Sequence, residues 1–149
     1  MGGFTGKISL KVLLDTNIFV DIALERQPYF AESDQVLSLV EQEQVEGYVS
    51  ASTFGDLYYI IRKIKSREAS LDFLRRIATI CQIATVNEAV IALALTANFR
   101  DFEDAIQYST AVINQLDAIV TRNPQDFAGA TVQIFTPSRL IQELEILPS

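Results

Sequence analysis

Short apolar runs, each followed by a polar turn and then by helical periodicity, restrict this chain to an alternating α/β architecture. The first run, Val12-Leu13-Leu14, hands over at Asp15-Thr16-Asn17 to a helix that Ile18, Phe19, Ile22 and Ala23 carry to Arg26, where Gln27-Pro28 stops it. A second helix is expected over 31–44, packing Val36, Leu37, Leu39 and Val40. Gly47-Tyr48-Val49-Ser50 forms the second run, and Ala51-Ser52-Thr53 leads into a helix whose stripe is Leu57, Ile60, Ile61 and Ile64. Ser66 or Ser70 caps the next helix, which packs Leu71, Leu74, Ile77 and Ala78. Ile83 to Val86 is a third strand, and Asn87 caps a helix through Leu95. Arg100-Asp101 opens a helix packing Phe102, Ala105, Ile106, Ser109, Val112, Ile113 and Leu116. Asp117 to Thr121 and Val132 to Phe135 complete the strands, and Thr136-Pro137-Ser138 starts the last helix. Strands that are apolar throughout are covered on both faces. The order therefore predicts a three-layer α/β/α sandwich around a parallel sheet of about five strands.

At 149 residues, 49% of them hydrophobic, the chain can close one core, and residues 8–149 are expected to form a single domain. Residues 1–7 lack the apolar centre and cleavage site of a secretory signal. They read as a disordered N-terminal segment or an expression remnant, and a cytoplasmic protein is expected. No apolar run approaches the roughly 20 residues that span a bilayer. Cys81, flanked by Ile77, Ile80 and Ile83, reads as a small buried hydrophobe. With no histidine in the chain, a Ser-His-Asp triad, a Cys-His pair and a histidine-bound zinc are excluded. Carboxylates remain as the chemical resource. The net charge of -7 argues against coating a polyanion with lysine and arginine, and leaves open a local site where a divalent cation bridges acid and phosphate.

Open α/β sheets bind ligands outside the carboxyl ends of their strands. Asp15 ends the first strand, Asp56 follows the second, Asp104 starts a late helix, and Asp126 follows the fourth strand in Arg122-Asn123-Pro124-Gln125-Asp126. Asp117, at the start of that strand, belongs to the opposite rim. Each acid taken singly reads as a helix cap or a solvated charge. Together at one rim they repel one another and raise one another's pKa unless a cation is present. All-oxygen ligands suit Mg²⁺ or Mn²⁺, and such a cation activates water and stabilises charge on a phosphodiester. Asp101, one helical turn before Asp104, supports that acid from outside or caps the helix.

These segments resemble the PIN-domain family of metal-dependent ribonucleases, which includes the VapC-type toxins. The likeness rests on Val12-Leu13-Leu14-Asp15-Thr16-Asn17, on Ser52 to Tyr59, on Asp104-Ala105-Ile106-Gln107, and on Ile119 to Phe127. It implies a PIN-like fold, an endoribonuclease, catalytic Asp15, Asp56 and Asp104, and Mg²⁺ or Mn²⁺ held by these with Asp126. By the same likeness Thr16 and Asn17 shape the turn or hold a bridging water, and Thr121 and Asn123 lie at the rim in support. Similar proteins form homodimers and, when toxins, are blocked by an antitoxin. Two positions depart from the pattern: Asp56 stands where glutamate is usual, and Asn123 where many members carry aspartate.

For RNA contacts, Arg62, Lys63, Lys65 and Arg67 are the densest basic stretch, with Lys63 on the helix of Asp56; Arg122 sits between Thr121 and Asn123 at the expected rim. Tyr58 and Tyr59 offer rings for base stacking or for the core. The alternative is a degenerate domain that binds protein or RNA without catalysis. A phosphatase or phosphoacceptor is disfavoured, because position 17 is Asn and no lysine follows Lys65.

Overall fold

The computed structural model describes residues 9–146; the segment 1–7 singled out above lies outside them. Five strands, β1 (Lys11–Leu14), β2 (Glu46–Ser50), β3 (Gln82–Ala84), β4 (Ala118–Val120) and β5 (Gln133–Phe135), form one sheet in the order β3-β2-β1-β4-β5. Every adjacent pair is parallel. The connections run outward from β1 through β2 to β3, and the chain then crosses back to place β4 on the other side of β1. Between β1 and β4 the winding reverses, and a crevice opens beyond their carboxyl ends.

The β1 side chains alternate between two cores. Val12 and Leu14 face one that is closed by α1 (Thr16–Ala23), α2 (Phe30–Glu41), α3 (Thr53–Arg62), α4 (Arg67–Ile80) and α7 (Pro137–Ile146). Leu13 faces the other with Ile119, Ala111 of α6 (Phe102–Ile113) and Phe127 of the 3₁₀ turn Pro124–Phe127. The remaining helix, α5 (Glu88–Thr96), packs against α6. Close approach of α2 to the sheet explains Gly47, where a Cβ would meet a Val40 methyl at 2.7 Å. The three-layer arrangement, parallel direction and strand number all agree with the sequence expectation.

The element ends differ in informative ways. The first helix stops at Ala23 rather than Arg26, and the second at Glu41 rather than Gln44, with Glu25 and Glu43 taking positive φ just beyond. Helical periodicity survives past a helix end, whereas the switch to a left-handed residue does not depend on it. The third strand is shorter than expected and lies at the sheet edge, so Ile83 is exposed. Ile64 lies past the end of α3 and is 70% exposed, so it does not belong to the stripe of Leu57 and Ile61. Ala78, Phe102 and Ile113 also face outward. Ser66 rather than Ser70 caps α4, accepting from Ala69 N–H, and Asn87 caps α5 as expected. Cys81 is buried in the larger core, where desolvation pushes its thiol up to about 12. Among the described residues, no helix is long and apolar enough to cross a membrane.

Candidate active site

Asp15 ends β1 and caps α1. Its carboxylate accepts hydrogen bonds from Thr16 N–H (2.8 Å), Thr121 Oγ1 (2.8 Å) and, more weakly, Gln107 Nε2 (3.4 Å). The cap and the candidate ligand are thus the same side chain, only 7% exposed at the floor of the crevice. Burial raises its pKa above the usual carboxylate value despite the three donors, and the charge of Asp126 adds to the rise. Gln107 stands one turn after Asp104 on α6 and reaches across the floor. Its amide also donates to Thr16 Oγ1 and Thr53 Oγ1, which contact each other at 3.0 Å. Its Oε1 is buried without a partner.

The cleft above this floor, about 610 Å³, brings together Asp15, Asp56, Asp101, Glu103, Asp104 and Asp126. Asp104 is strongly perturbed as well: burial first, then the charges of Asp15, Asp101, Asp126 and Glu103, push it up to about 7. Glu103 is raised by burial and by Asp56, Asp101 and Asp15. Asp101 caps α6 by accepting from Glu103 N–H, so its cap role is realised while it lines the cleft. Asp117 lies at the opposite rim, bonding Lys11 N–H at the start of β1.

Asn17 lines the cleft, and Thr16 does so with its hydroxyl committed to the floor network. Thr121 is buried, donating to Asp15 and accepting from Asn123 N–H. Asn123 and Lys63 are not among the residues that line the cleft. Nor is Arg122: its Nε lies 2.8 Å from Asp21 on α1, and its guanidinium stacks 4.1 Å over Tyr29. Sequence adjacency to the rim located Arg122 correctly along the chain but not its direction, which a buried opposite charge decides. Gln107, Thr53 and Glu103 were not foreseen as site residues. The usable signal was the i, i+3 spacing of Asp104 and Gln107, which puts them on one helix face.

Chemically, the donors are all hard oxygens, the kind that Mg²⁺ and Mn²⁺ prefer. Among the described residues, no three acidic side chains stand close enough to hold one ion together. Carboxylates that raise one another's pKa across an open cleft nevertheless fit a cation that takes one or two of them and keeps its own waters.

A parallel α/β/α fold with a carboxylate-lined crevice at its winding reversal defines the class: an α/β domain with an acidic site at the switch point of its sheet. The chain belongs to the PIN domain family, whose model matches residues 11–125. It is similar to "Ribonuclease VapC1" of Aquifex aeolicus (strain VF5), 26% identical over 144 residues that cover 93% of this chain and 99% of that protein. Among solved structures, a toxin-antitoxin complex from Klebsiella pneumoniae superposes with a TM-score of 0.64 at 24% identity, covering 85% of this chain and 97% of that one. VapBC2 from Rickettsia felis, bound to a DNA fragment from its promoter, does so with a TM-score of 0.66 at 17% identity, covering 85% and 98%.

Proposed function

We propose that this protein is a metal-dependent endoribonuclease, working as one unit over residues 8–149. The observation that carries the reading is the convergence of Asp15, Asp104 and Asp126 on one cleft, with Asp104 pushed up to about 7 by its neighbours. Asp15 and Asp104 would hold Mg²⁺ or Mn²⁺ directly, with Asp126 and Asp56 reaching it through water. The cation, when bound, supplies activation of the attacking water and stabilisation of charge on the phosphodiester. The chain's own part is orientation. Thr121 and Gln107 fix the Asp15 carboxylate, Asp101 fixes the start of α6 and with it Asp104, and the closed floor keeps bulk water from beneath. The same reading makes it a VapC-type toxin that acts in the cytoplasm on RNA, forms a homodimer and is held in check by an antitoxin; the toxin-antitoxin complex among its structural neighbours supports the last point.

Purified protein with Mn²⁺ or Mg²⁺ is expected to cut RNA internally, EDTA to stop it, and Asp104→Asn to abolish it while the fold persists. Cleavage that continues in EDTA overturns the mechanism. A degenerate binding module is the second reading, favoured by the absence, among the described residues, of three acids close enough to share one ion and by Asn123 lying outside the lining. Calorimetry decides between them: no Asp15-dependent heat at millimolar Mn²⁺ favours the module.

A further inference from the structure

The acids separate two adjoining clefts. Asp101, Asp104 and Asp126 line both; Tyr59 belongs to the first, and Arg100 with Gln125 to the second. Across both linings Arg100 is the single basic side chain among the described residues, and it takes part in none of their ion pairs. It is exposed although Asp101 adjoins it in the chain and Asp104 and Asp126 share its cleft. On the other side, Tyr59 holds its ring 73% exposed at the cleft wall, with Tyr58 set edge-on behind it at 6.1 Å. The basic residues expected to meet RNA are elsewhere: Arg122 is bound to Asp21, and Lys63 is outside both clefts.

A polyanion entering an acidic crevice needs local attraction on either side of the cation. A single-stranded nucleic acid presents that combination of needs, alternating phosphates with unpaired bases. We propose that single-stranded RNA lies across both clefts, with a phosphate on the Arg100 guanidinium and a base stacked on Tyr59. The scissile link then falls over the carboxylates between them. This rests on the ribonuclease reading above. A basic peptide does not match this pair, because Arg100 would repel it at one end.

Two measurements test the track. Anisotropy of a labelled 2′-O-methyl oligoribonucleotide, checked on a gel to be intact after each titration, reports binding in Mg²⁺; initial rates on the unmodified strand with Mn²⁺ report turnover. Arg100→Gln is expected to weaken binding about tenfold and to lower the slope of log affinity against log salt by about 0.7, the value for one phosphate contact on a single strand. Arg100→Lys should keep that slope. Tyr59→Ala should weaken binding by about tenfold with the salt slope unchanged, and Tyr59→Phe should restore it. In turnover the same losses should appear in KM rather than kcat. Both side chains are exposed, so unchanged circular dichroism and Tm accompany the expected result. Wild-type binding that ignores Arg100 and Tyr59, or the absence of any binding, overturns the track. So does a Tyr59→Ala defect confined to a basic peptide, which would assign the face to a protein partner. If the strand binds as described but is not cut, the ribonuclease reading fails while the track stands.

Discussion

Thr121 Oγ1 donates a 2.8 Å hydrogen bond to Asp15 Oδ2, tying the end of β4 to the end of β1 where the winding of the sheet reverses. Both residues are buried, so the bond is made in a setting where a missing donor is not replaced by water. Thr121→Val keeps the shape and removes the donor. It is expected to cost about 1–3 kcal/mol in urea unfolding, to raise the Asp15 pKa further, and to weaken Mn²⁺ binding. Thr121→Ser should recover most of the loss. Equal stability of the valine and wild-type proteins would show that the bond does not support the carboxylate.

The raised acids make stability without metal depend on pH in a definite direction. Asp104 has a folded value of about 7 against an ordinary 3.8, so between these values the folded state binds the extra proton. Its contribution is therefore favourable at low pH and is lost as pH rises from about 4 through about 7. Asp15 and Glu103 are shifted the same way. Thermal melts in EDTA should fall in Tm between pH 5 and pH 8. Added Mn²⁺ should raise Tm more at pH 8 than at pH 5, because protons compete for the same oxygens. A metal increment independent of pH would remove the cation from this cleft.

Arg122 gives a prediction of opposite kind. Asp21 is fully buried; its contact with Arg122 is one of charge against charge rather than an aligned hydrogen bond, since Asp21 Oδ1 and Arg122 Nε have no hydrogen-bond partner. Burial raises the Asp21 pKa in spite of the guanidinium. Arg122→Ala leaves the carboxylate buried with only a long hydrogen bond from Ser33 Oγ (3.4 Å) and the weaker charge of Arg26, and is expected to destabilise by about 3 kcal/mol, the low end for a buried pair because the guanidinium is partly solvated. Asp21→Asn with Arg122→Ala should be milder than Arg122→Ala alone. Chemical denaturation of the three variants measures this. A salt dependence of RNA binding that changes in Arg122→Ala would return Arg122 to the substrate.

What the residues disclosed and what they concealed divide along one physical line. The alternation of strands and helices could be anticipated because apolar runs and polar turns are local signals, and the rim positions of Asp15, Asp56 and Asp126 follow from where their strands end, that of Asp104 from the start of its helix. Side-chain direction does not follow from chain position. Arg122 turns to Asp21, which is remote in sequence on α1. Gln107 serves the floor because Thr16 and Thr53 are brought under it by tertiary folding. Ile64 kept the helical period but fell beyond the last turn, where nothing packs on it.

Asp104 itself should show the conflict between function and stability. Its carboxylate faces the charges of Asp15, Asp101, Asp126 and Glu103, so without metal at pH 8 it is a net strain on the fold. Asp104→Asn removes one negative charge and keeps the side-chain volume. The variant is expected to be more stable than wild type in EDTA at pH 8 by about 1 kcal/mol, a value well below the full shift because the cleft is open to water. At pH 5, where the wild-type acid already holds its proton, the advantage should vanish. With saturating Mn²⁺ the order should reverse, since wild type gains binding energy that the amide cannot match. A site kept for chemistry at the expense of stability shows this crossing. Unfolding curves in EDTA and in Mn²⁺ at the two pH values give the result, and an Asp104→Asn protein less stable than wild type in EDTA at pH 8 would make the residue a structural one.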